Sequence, residues 1–125
     1  MHVALSNLPD AELEVMQALW SLDTYPAHTA AIAQRLNKNW KAPTLLKLLS
    51  RLRDRGFVQE EKQGRANLYT PLVQEEDYLR VESRSFLHRL HHGSLSSLVA
   101  SLYPDTHLTP EDLQALERIL KKEED

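Results

Sequence analysis

Thr44, Lys47 and Arg51 recur at intervals of three and four residues, with Lys41 and Ser50 in the same run. On a helix, that spacing gathers Thr44, Lys47 and Arg51 on one face. Two cations and a hydroxyl so gathered can hold an anion and hydrogen-bond beside it. DNA offers both partners, since phosphate oxygens take cations and base edges in the major groove take lysine and threonine. Arg65 follows Gly64, where a tight turn would carry it outward. A second group has ligand spacing: His88, His91 and His92, at i, i+3 and i+4. Two imidazoles on one helical face could hold zinc or a similar ion. The other reading is a surface cluster at a helix end, where the dipole favours positive charge.

Other chemistry has no residues to carry it. The chain shows no glycine-rich phosphate loop, no His-Glu-x-x-His and no nucleophile elbow. Its carboxylates fall mostly on helix starts and polar faces. The expectation is a binding protein, not an enzyme, with no cofactor. Cysteine is absent, which excludes disulfides and thiolate metal sites and fits a cytoplasmic location. No window approaches the roughly 20 apolar residues that cross a bilayer, and Met-His-Val-Ala-Leu-Ser is no signal-peptide start. Membrane insertion is not expected.

Charge is distributed unevenly. From Arg35 to Arg65 there are nine Lys/Arg against Asp54, Glu60 and Glu61, a net of +6, whereas the whole 125-residue chain is −3. A positive middle between acidic flanks is one focused anion-binding surface.

These side chains need a frame. The stretch from Trp40 to Gly56 reads as one helix. Pro43 suits its first turn and Gly56 the left-handed residue past its end. Leu45, Leu48, Leu49 and Leu52 make its apolar face, and Arg53 and Arg55 sit near the negative pole. Upstream, Asn7–Asp10 starts a core helix carrying Leu13, Val15, Met16, Leu19 and Trp20, and Asp23–Pro26 makes a turn. Thr29 is an N-cap for a short helix from Ala30 to Leu36, with Ile32, Ala33 and Leu36 inward. A short helix, a turn and a longer basic helix is the helix-turn-helix order.

After Gly56 the period turns to that of strands. Phe57–Gln63 can pair with Ala66–Thr70 across Gly64, anchored by Phe57, Leu68 and Tyr69. The expected fold is therefore mainly α with a small β-hairpin wing: a winged helix-turn-helix over residues 1–73, with Arg65 at the wing tip. Residues 74–125 read as three further amphipathic helices. Gly93 ends the first, Tyr103-Pro104-Asp105 breaks the second, and Thr109-Pro110-Glu111-Asp112 starts the third. Their apolar positions are Phe86, Leu87, Leu90, Leu95, Leu98, Val99, Leu102, Leu113, Leu116, Ile119 and Leu120. With the winged domain already complete, these residues are expected to meet a second copy of the chain; the alternative is that they fold back on their own subunit.

The chain resembles the penicillinase-repressor (BlaI/MecI/CopY-type) family along nearly its whole length. The likeness runs through Asp10–Met16 with Leu19-Trp20, then Thr44–Gly56, then Gly64–Val73, then Glu82–Leu87 and Gly93–Val99. It implies a homodimeric repressor on a palindromic double-stranded DNA operator, with the dimer held by carboxy-terminal helices. In resistance members of the family, a membrane-bound sensor metalloprotease answers β-lactam, and the repressor is cleaved in its dimerisation region. The positions matching that scissile Asn-Phe bond are Ser101 and Leu102. Leu46 and Lys47 stand where relatives often carry Arg or Lys and then Thr, so the resemblance makes both candidates for base contact and the operator is expected to differ. Lys41-Ala42-Pro43 places proline one position later than the usual Trp-Ser-Pro. The cysteine pairs of the copper-responsive branch are missing. Two other readings remain beside this one. One is a metal- or pH-responsive regulator built on His88, His91 and His92; the other is a winged-helix protein-interaction adaptor, which would have no reason to concentrate Lys47, Arg51 and Arg65.

Overall fold

The computed structural model describes residues 7–102 and 109–124, without the side chains of 120, 123 and 124. Nine elements follow in order: α1 (Asp10–Trp20), β1 (Ala27–His28), α2 (Thr29–Arg35), α3 (Ala42–Asp54), β2 (Val58–Gln63), β3 (Ala66–Pro71), α4 (Glu75–His91), α5 (Leu95–Leu102) and α6 (Pro110–Glu124). They divide into two compact units, Met1–Ser85 and Phe86–Asp125. The Tyr103-Pro104-Asp105 break and the Met1–Ser6 start lie outside the described residues.

The first unit is a winged helix. Leu45, Leu48, Leu49 and Leu52 of α3 are all buried, against Val15, Met16 and Leu19 of α1 and Ile32 of α2. Ala33, expected inward, is exposed. The end of α3 is closed twice. Gly56, at φ +84, donates its N–H to Arg53 O, and Phe57 N–H reaches Leu52 O at 2.9 Å. That is the Schellman pattern, and it requires a residue that tolerates positive φ. It also turns Phe57 directly into the core, where it is fully buried.

The hairpin is tight. Gln63 pairs with Ala66, so the loop is Gly64-Arg65 alone, with positive φ at Gly64 only. That is the type II′ arrangement, whose twist matches paired strands. Pro71 pairs with Val58 as the last residue of β3. The hairpin is not alone, however. β1 adds to the other edge of β3, Ala27 opposite Tyr69, giving the order β1-β3-β2. The segment read as a plain turn into a capped helix thus contributes a strand. Consequently α2 begins at Thr29 itself, straight out of extended backbone, with no side-chain cap bond.

The core of this unit continues past Val73. Tyr78, on the first turn of α4, is buried, with its ring centroid 5.7 Å from Trp20 and 5.9 Å from Phe57. Its hydroxyl accepts from Leu8 N–H at 3.2 Å, and Trp20 Nε1–H donates to Val73 O at 2.9 Å. Burial of such a ring stabilises by about 1.5–3 kcal/mol.

The second unit contains helices and turns and no strand among its described residues. Ser94 Oγ accepts from Ser97 N–H and caps α5. Thr109 and Asp112 exchange bonds, Oγ1 taking Asp112 N–H at 3.1 Å and Oδ2 taking Thr109 N–H at 3.2 Å. This is a reciprocal capping box on α6. α5 contains no buried residue.

Candidate nucleic-acid interface

The outward side of α3 carries the expected set. Lys41 lies just before the helix and its carbonyl accepts from the N–H groups of Thr44 and Leu45. Thr44, Lys47 and Arg51 are exposed on successive turns, and Ser50 is half-buried beside them. Arg65 is exposed in the two-residue loop of the wing. The structure brings Arg65 close to α3: with Ala66 and Asn67 it lines an open depression of about 360 Å³ whose other walls are Ala42, Leu46, His28, Thr29 and Ala30. The start of α2 was not singled out from sequence as part of this surface. A two-residue strand carries no periodicity that could have signalled it.

Three other cations of the basic segment are held in ion pairs, and Arg35 donates to Ser21 O at 3.2 Å. Arg55 Nε donates to Glu12 Oε1 at 2.7 Å, and Lys38 lies 3.6 Å from Glu14. Arg53 bonds both Glu60 and Asp54. Among the described residues, Lys41, Lys47, Arg51 and Arg65 make no ion pair. Cationic charge outside these ion pairs thus lies on the outer side of α3 and on the wing, where Lys62 of β2 is also exposed, with Arg35 on α2 besides.

The Arg53 pairing also fixes the wing to the helix. Glu60 of β2 accepts from Arg53 and from the Tyr69 hydroxyl at 2.9 Å. Burial alone would push the Glu60 carboxyl up, but the hydrogen bonds from Arg53 and Tyr69 bring it below its usual value. Burial, then the Glu60 carboxylate, pushes the Tyr69 phenol up to about 12. Glu60 and Asp54 together raise the Arg53 guanidinium further. The result is a chain of charge-assisted bonds from the last turn of α3 across both long strands.

The histidines do not assemble. His91 is buried, its Nδ1 2.9 Å from Ser97 Oγ and its ring 5.9 Å from Phe86. His88 and His92 are exposed, and His92 has left the helix at φ +52. Among the described residues, no group of three or more His, Cys, Asp or Glu could hold a metal ion. One ring of the trio, His91, is turned into the α4–α5 corner as packing, while the other two face solvent.

The apolar positions of the second unit are largely open. Leu90 is 61% exposed, Ile119 58% and Leu95 49%, and Phe86, Leu102 and Leu113 are also exposed. Leu87, Leu98, Val99 and Leu116 are half-buried. The Leu120 side chain lies outside the described residues. Ser101 and Leu102 are exposed in the last turn of α5, where Ser101 Oγ donates to Ser97 O at 2.8 Å. No helix among the described residues is long and apolar enough to cross a membrane.

Comparison with known proteins gives a single answer. The family model described as penicillinase repressor matches residues 8–122. The penicillinase repressor of Bacillus licheniformis is 34% identical over 120 residues, covering 94% of this chain and 92% of that protein. The methicillin resistance regulatory protein MecI of Staphylococcus aureus (strain N315) is 28% identical over 116 residues, covering 93% and 94%. Among solved structures, the DNA binding domain of the repressor BlaI matches with a TM-score of 0.51 at 32% identity, over 62% of this chain and 94% of that one.

Proposed function

This chain belongs to the penicillinase-repressor family, and from that premise we propose how it works as a DNA-binding repressor. It grips a palindromic double-stranded operator as a homodimer. α3 enters the major groove, with Thr44 and Lys47 toward base edges. Lys41, Ser50 and Arg51 lie along the adjoining backbone, and Arg65 of the wing holds phosphate. One observation carries this reading. Within the basic segment, Arg53, Arg55 and Lys38 are neutralised by Glu60, Glu12 and Glu14, while Lys41, Lys47, Arg51 and Arg65 are left unpaired beside one another's elements. Cations without an ion pair among the described residues, gathered on a helix face and a wing, fit a polyanion. They leave the adaptor reading without a use for them.

The dimer rests on the second unit. Isolated amphipathic helices of 8 and 15 residues with exposed leucines have little stability in water. A second copy of the same surface supplies the missing contact, with the first unit serving DNA and the second serving the partner. Release follows proteolysis in the second unit, by a membrane-bound sensor metalloprotease answering a β-lactam or cell-wall signal. Ser101 and Leu102, exposed at the end of α5, are the positions that support it. A repressor of this kind works where its DNA is, in the cytoplasm. The test is selection of bound duplexes from a random pool: a palindromic consensus is expected, and recovery of no enriched sequence sinks the reading.

A further inference from the structure

Leu46 is out of place as a core residue. It lies on α3 between Leu45 and Lys47, yet it is 37% exposed while Leu45, Leu48, Leu49 and Leu52 are buried. A single exposed leucine on a protein surface is ordinary and needs no account. This one is not isolated. It lines the depression between the first turns of α3, the start of α2 and the wing, together with Ala42, Ala30 and Ala66. The polar groups at that site include Arg65 and Asn67, and Lys47 is the next residue along the helix.

The occupant has to satisfy two demands at once. It must be anionic at its edge, for Arg65. It must also present something small and apolar to Leu46 and the three alanines. Duplex DNA meets both. Phosphates line the groove, and the thymine C5-methyl is the apolar group exposed on the major-groove edges of the bases.

We infer that Leu46, which lines this depression with Ala42, is a specificity-determining residue that selects thymine by contact with its C5-methyl group. The inference rests on the DNA-binding reading above and deepens it by naming the base and the atom read. Lys47 and Arg51 then supply hydrogen bonding and charge, and Leu46 supplies discrimination without a hydrogen bond. An arginine or lysine at this position would read guanine instead, through O6 and N7. The operator of this chain should therefore carry a thymine where a relative with a basic residue there has guanine.

The full chain and its selected operator provide the test. Each thymine of a half-site is replaced in turn by deoxyuridine, which removes the methyl and keeps the pairing. Replacement at one position per half-site should weaken binding about fourfold, the worth of one buried methyl-sized group, and the others should have little effect. In Leu46→Ala, the same replacement should cost almost nothing. Circular dichroism and thermal melting check that this exposed substitution leaves the fold intact, and the wild-type series stands without any variant. Equal tolerance of deoxyuridine at every position by the wild type overturns the inference, as does undiminished sensitivity in Leu46→Ala. A chain that retains duplex but shows either result refutes Leu46 alone. A chain that retains no duplex refutes the DNA-binding reading as well, and capture of a protein through the Leu46 surface would have the same meaning.

Discussion

Arg55 and Glu12 are 43 positions apart and joined at 2.7 Å, Nε to Oε1, so the end of α3 is tied to the first turn of α1. The two partners differ in exposure, the Glu12 side chain being 2% and the Arg55 side chain 46% open. Removing the arginine strands a buried carboxylate, whereas removing the carboxylate strands little. For a fully buried pair the first loss is about 3–5 kcal/mol. With one partner half in water, Arg55→Ala should cost about 2 kcal/mol, against a worth near zero for an exposed pair. Adding Glu12→Met to that variant should restore most of the loss. Urea denaturation of the four proteins checks it, and simple additivity of the two substitutions would be the contrary result.

Arg51 and Arg65 are exposed and make no ion pair among the described residues, and the proposed role of each on DNA is phosphate neutralisation. Each alanine substitution should lower affinity for every sequence alike and flatten the plot of log affinity against log salt by about 1 per bound protomer. Arg53→Ala is the control, because Glu60 and Asp54 already hold that guanidinium. Its salt slope should stay at the wild-type value. A slope change in Arg53→Ala with none in Arg51→Ala or Arg65→Ala would place the DNA on another surface.

Lys47 should behave differently. Its position on the outer face of α3 gives it a donor for guanine O6 or N7. Lys47→Ala should relax the preference at one position of each half-site, at about 1–3 kcal/mol. A loss spread evenly over all operators would instead make Lys47 a phosphate contact.

The Arg53–Glu60–Tyr69 chain predicts a response at high pH. The Tyr69 phenol is raised from 10.0 to about 12, so the folded state holds its proton more tightly than the unfolded one. The stabilisation is complete below pH about 10 and is lost as pH rises toward 12. Two units set an upper bound of roughly 2–3 kcal/mol, and solvent screening lowers the contribution below it. Glu60 has the opposite sign. Its folded value is lowered, so its contribution is complete above the unfolded value and is lost as pH falls through the folded one. Tyr69→Phe should abolish the part of the alkaline loss due to Tyr69. Stability of the two proteins measured between pH 9 and 12 should converge toward the upper end, and parallel curves would contradict the coupling.

Much of this was legible in the residues, because it is local. Pro43, the leucine period and Gly56 fixed α3 at both ends, and Gly64 fixed the hairpin register. Thr109-Pro110-Glu111-Asp112 announced the capping box that the structure shows. What stayed hidden depends on distance. No pattern says that Arg55 will find Glu12, or Arg53 Glu60, so the free cations could not be separated from the engaged ones. Ala27 and His28 are too few for a strand period, and their pairing depends on where β3 lies. Tyr78 carried the spacing of an ordinary helix face. Only packing shows that its ring belongs with Trp20 and Phe57 in the first unit, beyond Val73.

The proposed switch can be tested by shortening the chain. Phe86, Leu90, Leu95, Leu102, Leu113 and Ile119 are exposed apolar residues in a unit with little core of its own. In a two-fold interface each could contribute about 1.5–3 kcal/mol. Two linked winged helices then engage two half-sites, and the second engagement becomes intramolecular, raising affinity by about 10²–10⁴ with no new base contact. Ending the chain at Ser101 removes Leu102 and all of α6. The first unit keeps every residue of its core, since the last of them is Tyr78. The shortened protein should therefore melt with the winged-helix transition intact. It should sediment as a monomer and lose operator affinity by that same factor while keeping its half-site preference. Sedimentation and gel shift on full and half operators read all of these. A truncated chain that remains dimeric and binds the full operator as tightly as the intact one would remove both the interface and the release mechanism.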